Sequence, residues 1–89
     1  MLIFVSTNQF KKDLRRMLKR GKSPEKLKTV LSLLLNEQSL PPKYRNHKLT
    51  GDWKGRSECH IEPDWLLIYF VKENKLVAER TGSHSNLFD

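Results

Sequence analysis

Three histidines, His47, His60 and His84, all fall outside the stretches that read as helix, on polar loops or on the polar side of a strand. An imidazole exchanges protons near neutral pH, which no other unperturbed side chain does as readily. RNA carries its own nucleophile. A protein that grips a phosphodiester therefore needs one group to take the proton of a ribose 2′-hydroxyl and one to protonate the leaving 5′-oxygen. Asp64 follows His60 by one turn of chain, and a carboxylate beside an imidazole favours its protonated form. A lone histidine usually has a bland explanation as a surface or packing group. The joint placement is what points to chemistry, because neighbouring antiparallel strands would bring His60, the turn at Asp64 and the strand end at His84 together. His60 and His84 are the proton-transfer candidates and Asp64 an orienting or charging group.

Other catalytic signatures are missing from the sequence. It has no G-x-S-x-G, no H-E-x-x-H, no phosphate-binding P-loop and no acidic pair arranged for two metals. No two histidines are spaced to chelate from one helix, and Pro63 breaks His60 and Asp64 as a helical pair, so neither a metal site nor a cofactor is expected. The single cysteine, Cys59, excludes an intramolecular disulfide. On a strand it alternates away from His60, which directs it to the core and makes a structural role the expectation.

The formal net charge is +7, and residues 11–28 account for it with nine basic side chains against Asp13 and Glu25. Lys11, Arg15 and Lys19 form one row at helical i, i+4 spacing, and Lys12, Arg16 and Arg20 another. Like charges so placed repel, and an ordinary solvated face mixes signs. An anion-facing surface follows, with Lys11, Arg15 and Lys19 as candidate substrate contacts.

The elements that must position these groups are legible in outline. Leu2 to Val5 is short, apolar and β-prone, a first strand. Ser6, Thr7 and Asn8 offer N-caps to a helix whose stripe is Phe10, Leu14, Met17 and Leu18, with Gly21 as its stop. Ser23-Pro24-Glu25 opens a second helix, striped by Leu27, Val30, Leu31 and Leu34 and running to about Asn36. Pro41 and Pro42 bar continuation and lead into a polar loop from Lys43 to Lys48. From Arg56, polar and apolar residues alternate to Ile61, as in a half-solvated strand. Glu62-Pro63-Asp64 turns the chain into Trp65–Val71, apolar at every position and so covered on both faces. Leu76–Thr81 forms the last strand, and 82–89 a short C-terminal segment. The expected architecture is α+β, two N-terminal helices packed on a small antiparallel sheet in the order β-α-α-β-β-β, with an extra short strand near Leu49.

At 89 residues, 37% of them hydrophobic, the chain suits a single domain spanning 1–89. Met1 to Val5 is far too short for a membrane span or a secretory h-region, so a cytoplasmic protein without membrane contact is expected.

Two stretches are distinctive: His-Ile-Glu-Pro-Asp-Trp-Leu-Leu-Ile-Tyr at 60–69 and Arg-Thr-Gly-Ser-His-Ser at 80–85. With Pro42-Lys43-Tyr44, His47-Lys48-Leu49 and Gly51-Asp52-Trp53-Lys54-Gly55 they run in order along the whole chain, and together they resemble the YafQ branch of RelE-type toxins. The resemblance implies a microbial-RNase-like fold and a metal-independent endoribonuclease, an mRNA interferase cutting in the ribosomal A site. It implies a catalytic set of His47, His60, Asp64 and His84, with Phe88 holding substrate and Arg80 and Trp65 as further substrate contacts. It implies an antitoxin partner with a ribbon-helix-helix DNA-binding part, through which alone the toxin reaches operator DNA. One departure lies at Gly55-Arg56-Ser57-Glu58, where the family pattern has an aromatic after the glycine and an arginine before the acid. Arg56 stands one place early, which on a strand is the opposite face.

A non-catalytic RNA-binding or ribosome-binding module would use the same positive surface. It has no need of three histidines with Asp64, and neither does a gyrase-poisoning relative on the same scaffold.

Overall fold

A computed structural model describes residues 1–88. β1 (Ile3–Ser6) leads into α1 (Asn8–Lys19) and α2 (Pro24–Leu35), followed by β2 (His47–Lys48), β3 (Ser57–Glu62), β4 (Trp65–Lys72), β5 (Lys75–Gly82) and α3 (His84–Phe88). Single 3-10 turns at Pro42–Tyr44 and Gly51–Trp53 flank β2.

The five strands form one sheet in the order β1-β5-β4-β3-β2. β2 to β5 pair antiparallel, as expected, but β1 pairs parallel with β5, from Ile3 opposite Lys75 to Ser6 opposite Ala78, so the sheet is mixed. Short connections force antiparallel neighbours, whereas β1 is separated from β5 by the helix pair and three strands, a crossover long enough for either direction. The expected extra strand is β2, two residues long.

Thr7 caps α1, its hydroxyl accepting the Phe10 N–H at 2.9 Å from an extended backbone. At the other end Gly21 takes φ +89°, and the Lys22 N–H reaches the Met17 carbonyl at 3.1 Å, a stop that favours glycine. The buried face of α1 differs from the expected stripe. Phe10 and Met17 are buried, Leu14 is half-buried, Leu18 is exposed, and Asp13 lies inside at 2% exposure. Position 13 is three residues from 10 and four from 17, so it must share their side. Its carboxylate is satisfied there by Arg80 Nε at 2.7 Å, Arg80 Nη2 at 3.3 Å, Gln9 at 3.0 Å and the Thr81 N–H at 3.2 Å. Burial raises the Asp13 pKa, but these hydrogen bonds and the charge of Arg80 outweigh it and leave the carboxyl below its ordinary value.

The main core lies between the helices and one face of the sheet: Phe10, Met17, Leu27, Val30 and Leu34 pack on Cys59, Ile61, Trp65, Leu67, Tyr69, Leu76 and Ala78. Leu66 and Ile68 point to the other face, where Leu87 of α3, Leu49 and Trp53 cover them. β4 is thus buried on both faces from Trp65 to Tyr69. Phe70 and Val71 emerge from cover as the strand passes beyond α3.

α3 forms where only a terminal segment was expected. Ser83 starts it reciprocally: its hydroxyl accepts the Asn86 N–H at 3.2 Å and its own N–H donates to Asn86 Oδ1 at 3.1 Å.

Candidate active site

The outer face of the sheet gathers the histidines. His47 pairs with Glu58 across β2 and β3, Glu58 with Ile68, and His60 with Leu66. Leu66 and Ile68 belong to the outer cluster, so His47, Glu58 and His60 all project away from the helices.

Glu58 is the centre of this group, buried to 6% exposure. Its Oε1 lies 3.4 Å from His47 Nε2 and 3.5 Å from His60 Nε2. Each imidazole is fixed from behind. His47 Nδ1 lies 2.7 Å from the Arg45 carbonyl and His60 Nδ1 3.2 Å from the Pro63 carbonyl. A carbonyl oxygen only accepts, so both rings carry a proton on Nδ1 and, when neutral, present the Nε2 lone pair to the Glu58 side. A proton taken up at either Nε2 arrives beside a carboxylate oxygen. The catalytic set that the sequence implies does not include Glu58, although its two-residue spacing from His60 places both on one strand face.

Asp64 and His84 are joined to this group around the β3–β4 turn. Asp64 Oδ1 accepts the backbone N–H of His84 at 3.1 Å, so Asp64 anchors the start of α3 and its contact is with the main chain of His84. The residue before it, Pro63, holds His60. The His84 ring packs on Phe88, centroids 5.0 Å apart, and Phe88 meets Trp53 edge-on at 6.0 Å. Both His84 and Phe88 are exposed.

The remaining sequence candidates separate. Trp65 is fully buried, its indole N–H donating to the Thr81 hydroxyl at 2.8 Å, and Thr81 in turn donates to the Leu66 carbonyl at 2.7 Å. A side chain enclosed and hydrogen-bonded in this way is a core residue, which corrects its reading as a substrate contact. Arg80 ties β5 to α1 through Asp13. Lys11, Arg15 and Lys19 are exposed, on a helix that packs against the opposite face of the sheet from the histidines. The end of α1 reaches the C-terminal helix, where Arg20 Nη1 donates to Asn86 Oδ1 at 3.1 Å.

Arg56, displaced relative to the family pattern, is committed elsewhere. Its Nε lies 2.7 Å from Glu79 Oε1, and the guanidinium sits 5.4 Å over the Phe70 ring. Cys59, on the helix-facing side, has its thiol pushed up to about 12 by burial and by the charge of Glu58, and a thiol that stays protonated is no nucleophile.

Residues 3–89 match the family described as bacterial toxin of type II toxin-antitoxin system, YafQ. The mRNA interferase toxin YafQ of Escherichia coli strain K12 is 45% identical over 83 residues, covering 92% of this chain and 90% of that protein. A copper-bound mutant toxin from Helicobacter pylori superposes with a TM-score of 0.96 at 40% identity, covering 99% of this chain and 100% of that one. The toxin in the Escherichia coli DinJ-YafQ complex superposes at 0.91 with 41% identity and full coverage of both chains. The ordered motifs, the fold and the match along nearly its whole length agree, and the chain belongs to the YafQ family of bacterial toxins of type II toxin–antitoxin systems.

Proposed function

We propose that this toxin is an endoribonuclease, an mRNA interferase that cuts mRNA on the ribosome and so stops translation. The observation that carries the reading is the pair of imidazoles on one buried carboxylate, with Asp64 and His84 tied to the same strand turn. An Nε2 of this group takes the proton of the ribose 2′-hydroxyl, the oxygen attacks the adjacent phosphorus, and His84 protonates the leaving 5′-oxygen. The products are a 2′,3′-cyclic phosphate and a free 5′-hydroxyl. The step needs acid–base exchange alone, in keeping with the metal-independent reaction the family resemblance implies. Asp64 positions His84 through its main chain, Phe88 supplies an exposed ring for a base, and Arg80 keeps Nη1 outside its pair with Asp13 for the phosphate.

Lys11, Arg15 and Lys19 lie away from the histidines and serve a separate role, contact with ribosomal RNA. The relative's DinJ complex supports a cognate antitoxin as the regular partner. In this reading its DNA-binding part is ribbon-helix-helix, operator DNA is met through the antitoxin, and the toxin acts in the cytoplasm.

The test is to map cleavage ends on mRNA after brief expression of the wild type and of His60→Ala, Asp64→Ala and His84→Ala. Cleavage by the wild type, with each variant reduced while ribosome association persists, is expected. Translation arrest without new mRNA ends would instead identify a ribosome-binding protein that does not cut.

A further inference from the structure

β2 covers only the first two residues of β3, since His47 pairs with Glu58 and Lys48 with Ser57. Beyond them the outer edge of β3 is faced by the 3-10 turn Pro42–Tyr44, and a cleft of about 210 Å³ opens between that turn and the β3–β4 turn. Lys43, Tyr44, Arg45, His60, Glu62 and Pro63 line it. Its volume lies below the ~300–1,000 Å³ usual for drug-sized ligands, which suits a fragment the size of a phosphate and its sugar.

The cleft is built for an anion. Lys43 Nζ stands 5.1 Å from the Tyr44 ring centroid, which steadies the ammonium at the rim. Arg45 adopts a left-handed backbone at φ +48°, uncommon for a non-glycine residue. That conformation serves two ends, because the Arg45 carbonyl holds His47 Nδ1 while its side chain lines the cleft. The one acid, Glu62, is already matched twice, by Lys22 at 2.7 Å and Lys26 at 2.6 Å, and these hydrogen bonds hold its carboxyl below the ordinary range. With Glu62 matched by the helix lysines, Lys43 and Arg45 are left as the charges that the cleft lining offers to a ligand.

We infer that this cleft is a second phosphate subsite, in which Lys43 and Arg45 bind the backbone phosphate of the nucleotide next to the one cut, with His60 as the wall shared by both sites. The inference rests on the ribonuclease reading, and it adds a register: RNA enters through the cleft between the Pro42–Tyr44 turn and the end of β3 that β2 leaves unpaired, and is held at two successive phosphates. It also explains the strained turn, since one backbone conformation orients a catalytic imidazole and a phosphate ligand together.

The test uses the free toxin and a short 2′-O-methyl RNA, which cannot be cut, followed by fluorescence anisotropy against salt. Lys43→Gln with Arg45→Gln should weaken binding about tenfold and flatten the slope of log affinity against log salt by about 0.7, the value for one phosphate on a single strand. Lys72→Gln with Lys75→Gln, at the far end of the sheet, should stay within about twofold. Lys43→Gln alone leaves the left-handed residue untouched and should give part of the loss, which guards against a misfolded double variant. A neutral methylphosphonate walked along the RNA should weaken wild-type binding at one linkage beyond the scissile one, and the double variant should no longer sense it there. Equal losses in the two double variants, an unchanged response to that methylphosphonate, or no binding by the wild type would overturn the subsite. A wild type that binds with this pattern but never cuts mRNA would leave the subsite standing and remove the ribonuclease reading.

Discussion

Glu58 and Cys59 are adjacent in sequence and opposite in consequence. Strand alternation turns one to the outer face between two imidazoles and the other into the helix-packed core, where its thiol is held protonated. If Glu58 supports proton uptake at Nε2, Glu58→Gln should lower single-turnover cleavage by roughly 10²–10⁴ while far-UV circular dichroism stays unchanged. A Gln variant as fast as wild type would remove the carboxylate from the chemistry. Cys59 should behave in the contrary way: Cys59→Ser retains cleavage, and iodoacetamide at pH 8 leaves the native thiol unmodified until denaturant is added. Rapid alkylation of the native protein would contradict its placement. The histidines could be read from their residue type. Glu58 was equally present in the alternation Arg56, Glu58, His60, but its significance depends on β2 delivering His47 to the same oxygen, a long-range pairing that no local pattern encodes.

Among the elements, local signals carried far. The N-cap at Thr7, the stop at Gly21 and the proline at the start of α2 fall where they were expected, because each is a property of a few consecutive residues. What local pattern left open was set by partners distant in sequence. β1 finds its partner in β5 across a long crossover, α3 exists because Leu87 has Leu66 and Ile68 to cover, and Asp13 is buried because Arg80 and Thr81 receive it. Asp13 therefore joins α1 to the end of β5 that leads into His84. Asp13 is buried and Arg80 partly exposed, so removing the carboxylate deletes charge-assisted hydrogen bonds without stranding a fully buried cation, and Asp13→Ala should cost about 1.5–3 kcal/mol in urea unfolding. A loss under 1 kcal/mol would show that the network contributes little. The sign of the pH dependence follows from the depressed Asp13 carboxyl. Folding favours its ionised form, so its stabilisation is complete above the unfolded-state value near 3.8 and disappears as pH falls through the lower folded value. Stability should drop in acid below about pH 4 in the wild type, and Asp13→Asn should show a shallower drop; parallel curves would contradict this.

For the whole molecule, exposed cations gather on two separate surfaces: the cleft beside His60 at the edge of β3, and the outward rows of α1, a helix that packs on the other face of the sheet from the histidines. Among the described residues Lys11, Arg15 and Lys19 have no acid partner, whereas Lys22 and Lys26 are held by Glu62. Reversing Lys11, Arg15 and Lys19 to Glu should weaken ribosome association and reduce its salt dependence, as measured by co-sedimentation, while cleavage of a short free RNA, if the toxin alone cuts it, is affected much less. Unchanged co-sedimentation would assign the α1 face no part in ribosome binding. The central claim, that the histidines exchange protons for a nucleophile supplied by the RNA itself, is tested most directly on programmed ribosomes with two mRNAs that differ by a single 2′-deoxy sugar at the cut position. A chelator selective for transition metals is included, which spares the magnesium that ribosomes require. The all-ribose mRNA should be cut in the chelator's presence and end in a 2′,3′-cyclic phosphate, and the deoxy mRNA should remain intact at that position. Efficient cutting of the deoxy mRNA, or loss of cutting on chelation, would contradict the mechanism.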